Sequence, residues 1–400
     1  MPRGGDYFRS RRVKKGEVER PWLDNPDPRE RWGNVFPLVG LILGLMMTGL
    51  FVWDGVRSVP VHKYCEVFSD DFSTWNTSVW TKEVELGGYG NGQFEMTTDT
   101  DENVFIEEGV LVIKPTLQEE LLMETNHVVD LRGHGCTGER WTDCVATTNT
   151  TNGTVINPVK SGRINTKKGA SIKYGRIEVV AKLPGGDWLW PAVWMLPKYE
   201  VYGEWPRSGE IDILESRGNN ASYGQGGNNI ITSTMHFGPS PQFDGWWHNV
   251  FMNQALRTTF SDDYNTFGIE WSEKYIFTYI NSRLRQVMFK TFNKPFWDHG
   301  QFPVADRNGT RLNNPWELTG SKASPFDQDF YLVLDVAVGG TNGWFEDGKS
   351  GKPWIDKSPL AKKDFWDKRD QWYPTWQQDG QMKVKSVKMW QQSGYNGCKA

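Results

Sequence analysis

The 400-residue chain has little of what metal, redox and nucleic-acid chemistry require. Its four cysteines include no CxxC pair and its six histidines no cluster, so no zinc-type ligand spacing is present. No metal site, redox centre or organic cofactor is therefore expected. Lys and Arg form no run long enough to track a phosphate backbone, and the net charge is −4, which argues against a nucleic-acid partner. No internal repeat is visible. Charge is missing altogether from one stretch, residues 35–53, which reads VFPLVGLILGLMMTGLFVW.

These 19 residues approach the ~20 that a helix needs to cross a bilayer. Trp53 ends the run where an interfacial aromatic belongs, and Pro37 near its start is tolerable in a first turn. A secretory signal would be shorter and would be followed by a small-residue cleavage site, which is absent. A buried core helix is the remaining alternative. Nine Lys and Arg precede the run, whereas only Arg57 and Lys63 lie between it and Cys65. The positive-inside rule then puts the N-terminus in the cytosol and the rest of the chain in the lumen or outside the cell, as a single-pass type II membrane protein. Five N-glycosylation sequons agree in side, at Asn76, Asn149, Asn152, Asn220 and Asn308. So do the cysteines. Cys136 and Cys144 are close enough to staple a loop, and Cys65 and Cys398 sit at the ends of the presumed domain. Four cysteines allow three pairings; the expected one is 65–398 with 136–144.

The expected organisation is a disordered cytosolic tail over 1–34, a transmembrane helix over 35–53, a stalk over 54–64 and one domain over 65–398. That domain reads as all-β. Short alternating runs such as Gly175-Arg-Ile-Glu-Val-Val-Ala-Lys182, Tyr275-Ile-Phe-Thr-Tyr-Ile280 and Phe330-Tyr-Leu-Val-Leu-Asp-Val-Ala337 recur between Gly, Asn and Pro clusters. Many short strands without intervening helices predict a sandwich or jelly roll. Residues 115–160 hold the Cys136/Cys144 pair and a Thr/Asn-rich stretch, and read as a surface insertion. The chain also carries 21 Trp, a heavy load. A flat apolar ring with a polar edge suits stacking on sugars as well as filling a β core.

The segment Ser208-Gly-Glu-Ile-Asp-Ile-Leu-Glu-Ser216 places three carboxylates, Glu210, Asp212 and Glu215, among aliphatic residues. Glu210 and Asp212 are two apart and share one strand face. Glu215 would turn into the core unless a β-bulge near Ile213-Leu214 returned it to the carboxylate face. Two carboxyl groups about 5–5.5 Å apart are what retaining glycoside hydrolysis needs, one as nucleophile and one as acid/base. Asp212 would crowd both with like charge and favour keeping one carboxyl protonated. An exposed edge strand decorated with charges would show the same spacing.

Beyond the carboxylates the chain resembles glycoside hydrolase family 16, in its laminarinase-like branch. Glu210-Ile-Asp-Ile-Leu-Glu215 matches the E-x-D-x-x-E signature of that branch. Trp190-Pro-Ala-Val-Trp-Met-Leu-Pro197, Thr234-Met-His-Phe-Gly238 and the Pro325–Trp344 block extend the likeness over roughly residues 64–395. The resemblance implies a concanavalin-like β-jelly-roll sandwich with a glycan cleft, and retaining, endo-acting hydrolysis of β-1,3-linked glucan, laminarin-type or mixed-linkage. Glu210 would then be the nucleophile, Glu215 the acid/base, and Asp212 the residue that tunes both. It also implies that Asn91, Trp190, Trp194, Trp205, Arg207, His236, Asn342 and Trp344 face the sugar, with Gly339-Gly-Thr-Asn342 on the rim opposite Asn91. Competing readings remain for these eight: core packing for a Trp, a structural role for His236, a salt bridge to a carboxylate for Arg207, tight turns at Asn91 and Asn342. Trp246 and Trp247 could stack on sugars at one end of the cleft. Family members often hold a structural calcium, but no ligand set here is distinctive. The branch also contains glucan-binding members that have lost the carboxylates, and members that rebuild glycans by transfer. A wall-remodelling transglycosylase and a membrane-tethered glucan-recognition protein are therefore the alternatives.

Overall fold

A computed structural model describes residues 10–24, 27–58 and 61–399. The chain divides into two units, Met1–His62 and Lys63–Ala400. Part of the tail expected over 1–34 (residues 1–9, 25 and 26) and residues 59 and 60 of the expected stalk lie outside the described residues.

The first unit is built on one long helix, Glu30–Ser58, preceded by a single turn at Pro21–Asp24. The helix overruns the 35–53 stretch at both ends, so Pro37 lies inside it rather than in its first turn. Its described side chains are exposed, as apolar residues of a water-soluble helix are not. By length and composition it is able to cross a membrane.

The second unit is a β-sandwich. One sheet has seven strands in the order Val250–Gln254, Ile230–His236, Glu210–Ser216, Leu189–Pro197, Phe330–Val338, Arg163–Asn165 and Thr81–Lys82. The other runs Ser282–Thr291, Tyr275–Ile280, Asn265–Trp271, Gly175–Lys182, Met382–Gln392, Val110–Ile113 and Val104–Glu107, with Tyr64–Asp70 also paired to Met382–Gln392. Alternation decides the core. Ile177, Val179 and Ala181 of one sheet and Val193, Met195, Ile211 and Met235 of the other belong to a single buried cluster. On the other face of the seven-stranded sheet, register lines up Arg163, Asp335, Ala192, Glu215 and Thr232, and beside them Asn165, Val333, Trp194, Asp212 and Thr234. Polar and aromatic residues thus share the face turned away from the core.

Residues 115–160 are more than a surface insertion. Val159–Ser161 pairs with both Glu95–Thr97 and Thr116–Leu117, and His127–Asp130 pairs with Val145–Thr148. Met123 and Ile156 form a second small core with Trp366. Buried Asn157 donates to the Leu86 and Glu95 carbonyls, which ties the segment's end into the sandwich. The disulfides are Cys65–Cys398 and Cys136–Cys144. Both fit a chain folded in an oxidising compartment. The first links residues 333 apart and fastens the first strand of the sandwich beside the last. Replacing Cys65 and Cys398 together by Ser should lower stability by roughly 2–5 kcal/mol, read from chemical denaturation of the reduced-pair variant against the native chain.

Candidate active site

The Glu210–Ser216 strand is the site's frame. Gly209 enters it at φ +82°, a left-handed conformation that a side chain resists, and Phe326 lies 3.0 Å from where a Cβ would sit. The bulge expected near Ile213-Leu214 is present. Asp212 pairs with Thr234 and Glu215 with Thr232, so two residues oppose Ser233 alone. Toward the other neighbour, Leu214 pairs with Val193 and Asp212 with Trp194, which leaves Ile213 as the extra residue. The irregular backbone is satisfied from inside: Ser233 Oγ donates to the Ile213 carbonyl at 2.7 Å, and Thr278 Oγ1 donates to Ser233 Oγ at 2.8 Å. Both aliphatic side chains of the bulge stay buried, and Glu215 returns to the face of Glu210 and Asp212.

Each carboxyl has its own partner. Trp205 Nε1 donates to Glu210 Oε2 at 2.6 Å, and Trp190 Nε1 donates to Glu215 Oε1 at 3.0 Å. His236 Nε2 lies 3.3 Å from Asp212 Oδ2, while its Nδ1 meets Asp244 Oδ2 at 2.5 Å. Asp244 is itself held by the backbone N–H groups of Phe237 and Trp246. Burial pushes all three carboxyls up. Asp212 adds to the rise at Glu210, and Glu215 to the rise at Asp212. Burial pushes Glu215 up to about 7, with the Glu210 charge adding to the rise and the charge of His236, then Trp190 and Arg217, opposing it. Burial alone would discharge His236, but Glu210, Asp212 and Asp244 outweigh it and hold the imidazole charged. Glu210, Asp212 and His236 bring ligand-type atoms within 4.8 Å of one another. Close contacts and mutual charge join them as a proton-sharing set. It can keep one carboxyl protonated while another stays ionised.

The remaining sequence-derived residues divide. Trp205, Trp246 and Trp247 are exposed, at 40, 45 and 61 %. Trp205 and Trp246 both flank His236. Trp194 is half-buried and donates from Nε1 to Asp335 at 2.7 Å. Trp190 is buried, with its ring stacked on Trp344, so it stands behind Glu215 rather than on open surface. Among the described residues Arg207 makes no ion pair with a carboxylate; its Nε donates to the Pro239 carbonyl. Asn91 and the Gly339–Asn342 turn do not face each other across a cleft. The Thr341 N–H donates to the Asn91 carbonyl at 3.0 Å, and the two loops form one rim. Exposed Asn342 accepts from the Trp344 N–H and closes its own turn.

Four residues escaped sequence reasoning: Asp244, Asp335, Arg163 and Arg217. Buried Arg163 pairs with Glu83 at 2.9 Å and lies over the rings of Tyr89 and Trp194. Asp335 had a signal, a lone carboxylate in an otherwise apolar strand. Asp244 had none, because its role depends on a loop returning to His236.

Comparison with known proteins decides the family. Residues 135–308 match the profile described as Glycosyl hydrolases family 16. The Penaeus monodon protein named Beta-1,3-glucan-binding protein is 36 % identical over 378 residues, covering 90 % of this chain and 98 % of that one. The chain belongs to glycosyl hydrolase family 16. Within family 16, Glucan endo-1,3-beta-glucosidase A1 of Niallia circulans is 31 % identical over 71 % of this chain, which spans only 35 % of that longer protein. The catalytic domain of an endo-1,3-beta-glucanase from Thermotoga petrophila shares the fold, with a TM-score of 0.53 and 23 % identity over 84 % of this chain and all of that one.

In Asp244→Asn the imidazole loses a carboxylate partner, which lowers a histidine pKa. The His236 resonance, followed by NMR, should titrate at lower pH in that variant than in the native chain; an unchanged titration would show that Asp244 does not hold the charge.

Proposed function

We propose that this chain is a membrane-anchored, retaining endo-hydrolase of β-1,3-linked glucan. The observation that carries the reading is the bulged strand with three adjoining carboxyl groups, Asp212 buried and Glu210 and Glu215 half-buried, each held by a separate partner. A protein that only binds glucan has no use for such a set, because burying like charges side by side costs stability. Glu210 attacks the anomeric carbon while Glu215 gives its proton to the departing glycosidic oxygen, leaving a glycosyl ester on Glu210. Glu215, now ionised, takes a proton from water, whose oxygen attacks the same carbon and frees Glu210. Two inversions retain the configuration. The imidazolium of His236 and the Trp205 N–H oppose the rise that burial and the Asp212 charge impose on Glu210, and burial holds Glu215 up at about 7. Trp205 and Trp246, which keep exposed surface beside His236, would stack on the glucan, with Asn91 and Asn342 at the rim.

The recognition reading draws support from the printed name of the Penaeus relative, and cleavage separates the two. Incubated with laminarin, the full-length protein in detergent should release short reducing products. Glu215→Gln should lower the rate by roughly 10²- to 10⁴-fold, the range a general acid supplies. Glu210→Gln should abolish cleavage and keep binding; an active Glu210→Gln would overturn the assignment. Products longer than the donor would point to glycan transfer.

The pH dependence has a definite sign. A general acid works while protonated, and Glu215 sits near 7, so kcat/KM should fall as pH rises through about 7. That limb should vanish from the residual activity of Glu215→Gln.

The Glu30–Ser58 helix serves as the anchor, with the N-terminus cytosolic and the sandwich lumenal or extracellular. Four of the sequon asparagines, Asn76, Asn152, Asn220 and Asn308, are exposed and Asn149 is half-buried, which suits glycan attachment. An alkaline carbonate wash should leave the full-length chain in membranes; its release would contradict a spanning helix.

A further inference from the structure

The Glu215 carboxyl is the end of a stack that begins at Arg217. This arginine follows Glu215 by two residues, just past the strand's end. Its Nε and Nη2 donate to the Trp344 carbonyl at 3.0 and 2.7 Å, and its Nη1 donates to the Gln225 carbonyl at 3.2 Å. The guanidinium carbon lies 3.9 Å from the centroid of the Trp344 ring. The Trp344 ring is in turn nearly parallel to Trp190, with centroids 4.7 Å and planes 13° apart. Two planar groups cannot share one ring face at these distances, so Trp344 is sandwiched between the guanidinium and the second indole. The second indole ends the stack on Glu215 Oε1 through its Nε1–H at 3.0 Å.

Each layer removes a freedom from the next. Arg217 fixes both the backbone and the ring plane of Trp344, as a planar fork can and an ammonium cannot. The loop beyond Trp344 is pinned independently. Lys352, its side chain fully buried, donates from Nζ to the Phe345 carbonyl at 2.8 Å and to Asp347 at 2.6 Å, and also pairs with Asp356. Trp344 therefore has little room to slide, and Trp190 packs against a fixed plate. An acid/base carboxyl has to be aimed twice in a retaining cycle, at the departing oxygen and then at water. Its other oxygen must be held for that.

We propose that Arg217 is a positioning residue for Glu215, acting through Trp344 and Trp190 without touching the glucan. The proposal rests on the acid/base reading of Glu215. It makes the rim residue Trp344 part of the proton-transfer apparatus, with its ring faces occupied by protein instead of sugar.

Leaving-group dependence tests it, because a departing dinitrophenolate needs no proton whereas a departing sugar hydroxyl does. The full-length protein in detergent would be assayed on laminarin and on 2,4-dinitrophenyl β-laminaribioside, the latter by its first burst. In Arg217→Met, kcat on laminarin should fall about tenfold, a fraction of the 10²- to 10⁴-fold that a general acid supplies, with KM and the burst rate unchanged. Arg217→Lys should behave alike, since it keeps the charge and loses the plane, and it carries the test if Arg217→Met does not fold. Trp190→Phe, which keeps the plane and loses the N–H, should reproduce the pattern. The Arg217→Met/Trp190→Phe double variant should be no worse than Trp190→Phe alone. An equal loss on both donors, or full additivity in the double variant, would overturn the proposal. Glu215→Gln is the reference: if its burst disappears too, the acid/base reading fails and takes the proposal with it. A preserved burst in Glu215→Gln, with equal losses in Arg217→Met, removes the proposal alone.

Discussion

Three carboxyl groups crowded on one strand face, Asp212 buried and Glu210 and Glu215 half-buried, repel one another, and much of the second unit is arranged around that repulsion. Desolvation and like charge both favour the protonated form of such groups. One cation relieves the strain. His236 sits against Asp212, and Asp244 behind it keeps the ring charged. Indole N–H groups from opposite sides take the outer two carboxyls. The result gives three chemically similar groups three different environments, the condition under which carboxyl groups can take different proton-transfer roles.

The backbone makes the crowding unavoidable. A regular strand would send Glu215 into the core, where an unpaired charge would be intolerable. The extra residue at Ile213 turns it back; the Ser233 hydroxyl donates to the displaced carbonyl and accepts in turn from Thr278. Those hydroxyls lie in the middle of an otherwise apolar core and connect the strands of both sheets. The sandwich thus supports the candidate site directly, because the far sheet contributes to the shape of the bulged strand.

Aromatic residues carry the rest of the load in two distinct ways. Trp205 and Trp246 keep open surface beside His236, whereas Trp190, Trp194 and Trp344 are committed to partners within the protein. Arg163, layered with Tyr89 and Trp194, stiffens the floor in the same manner that Arg217 stiffens the rim. Charged planes between rings give rigidity without needing water, which suits a surface on which a polymer must lie in one register.

The strand pattern, the carboxylate triplet, its bulge and the long uncharged run are local properties, and the sequence alone determined them, because side-chain alternation and residue spacing act within a few positions. The runs at 175–182 and 275–280 became strands with those limits for that reason. Membership of family 16 was legible likewise, from consecutive motifs. What the tertiary structure decided is which side chains meet across long separations. Arg217 finds Trp344 over 127 residues, Asn91 finds Thr341 across the chain, and Trp194 finds Asp335 over 141 residues. A tryptophan's spacing says that it is aromatic and near the cleft, not whether its face is spent on protein or left for sugar. That choice depends on what the folded chain brings to the other side of the ring.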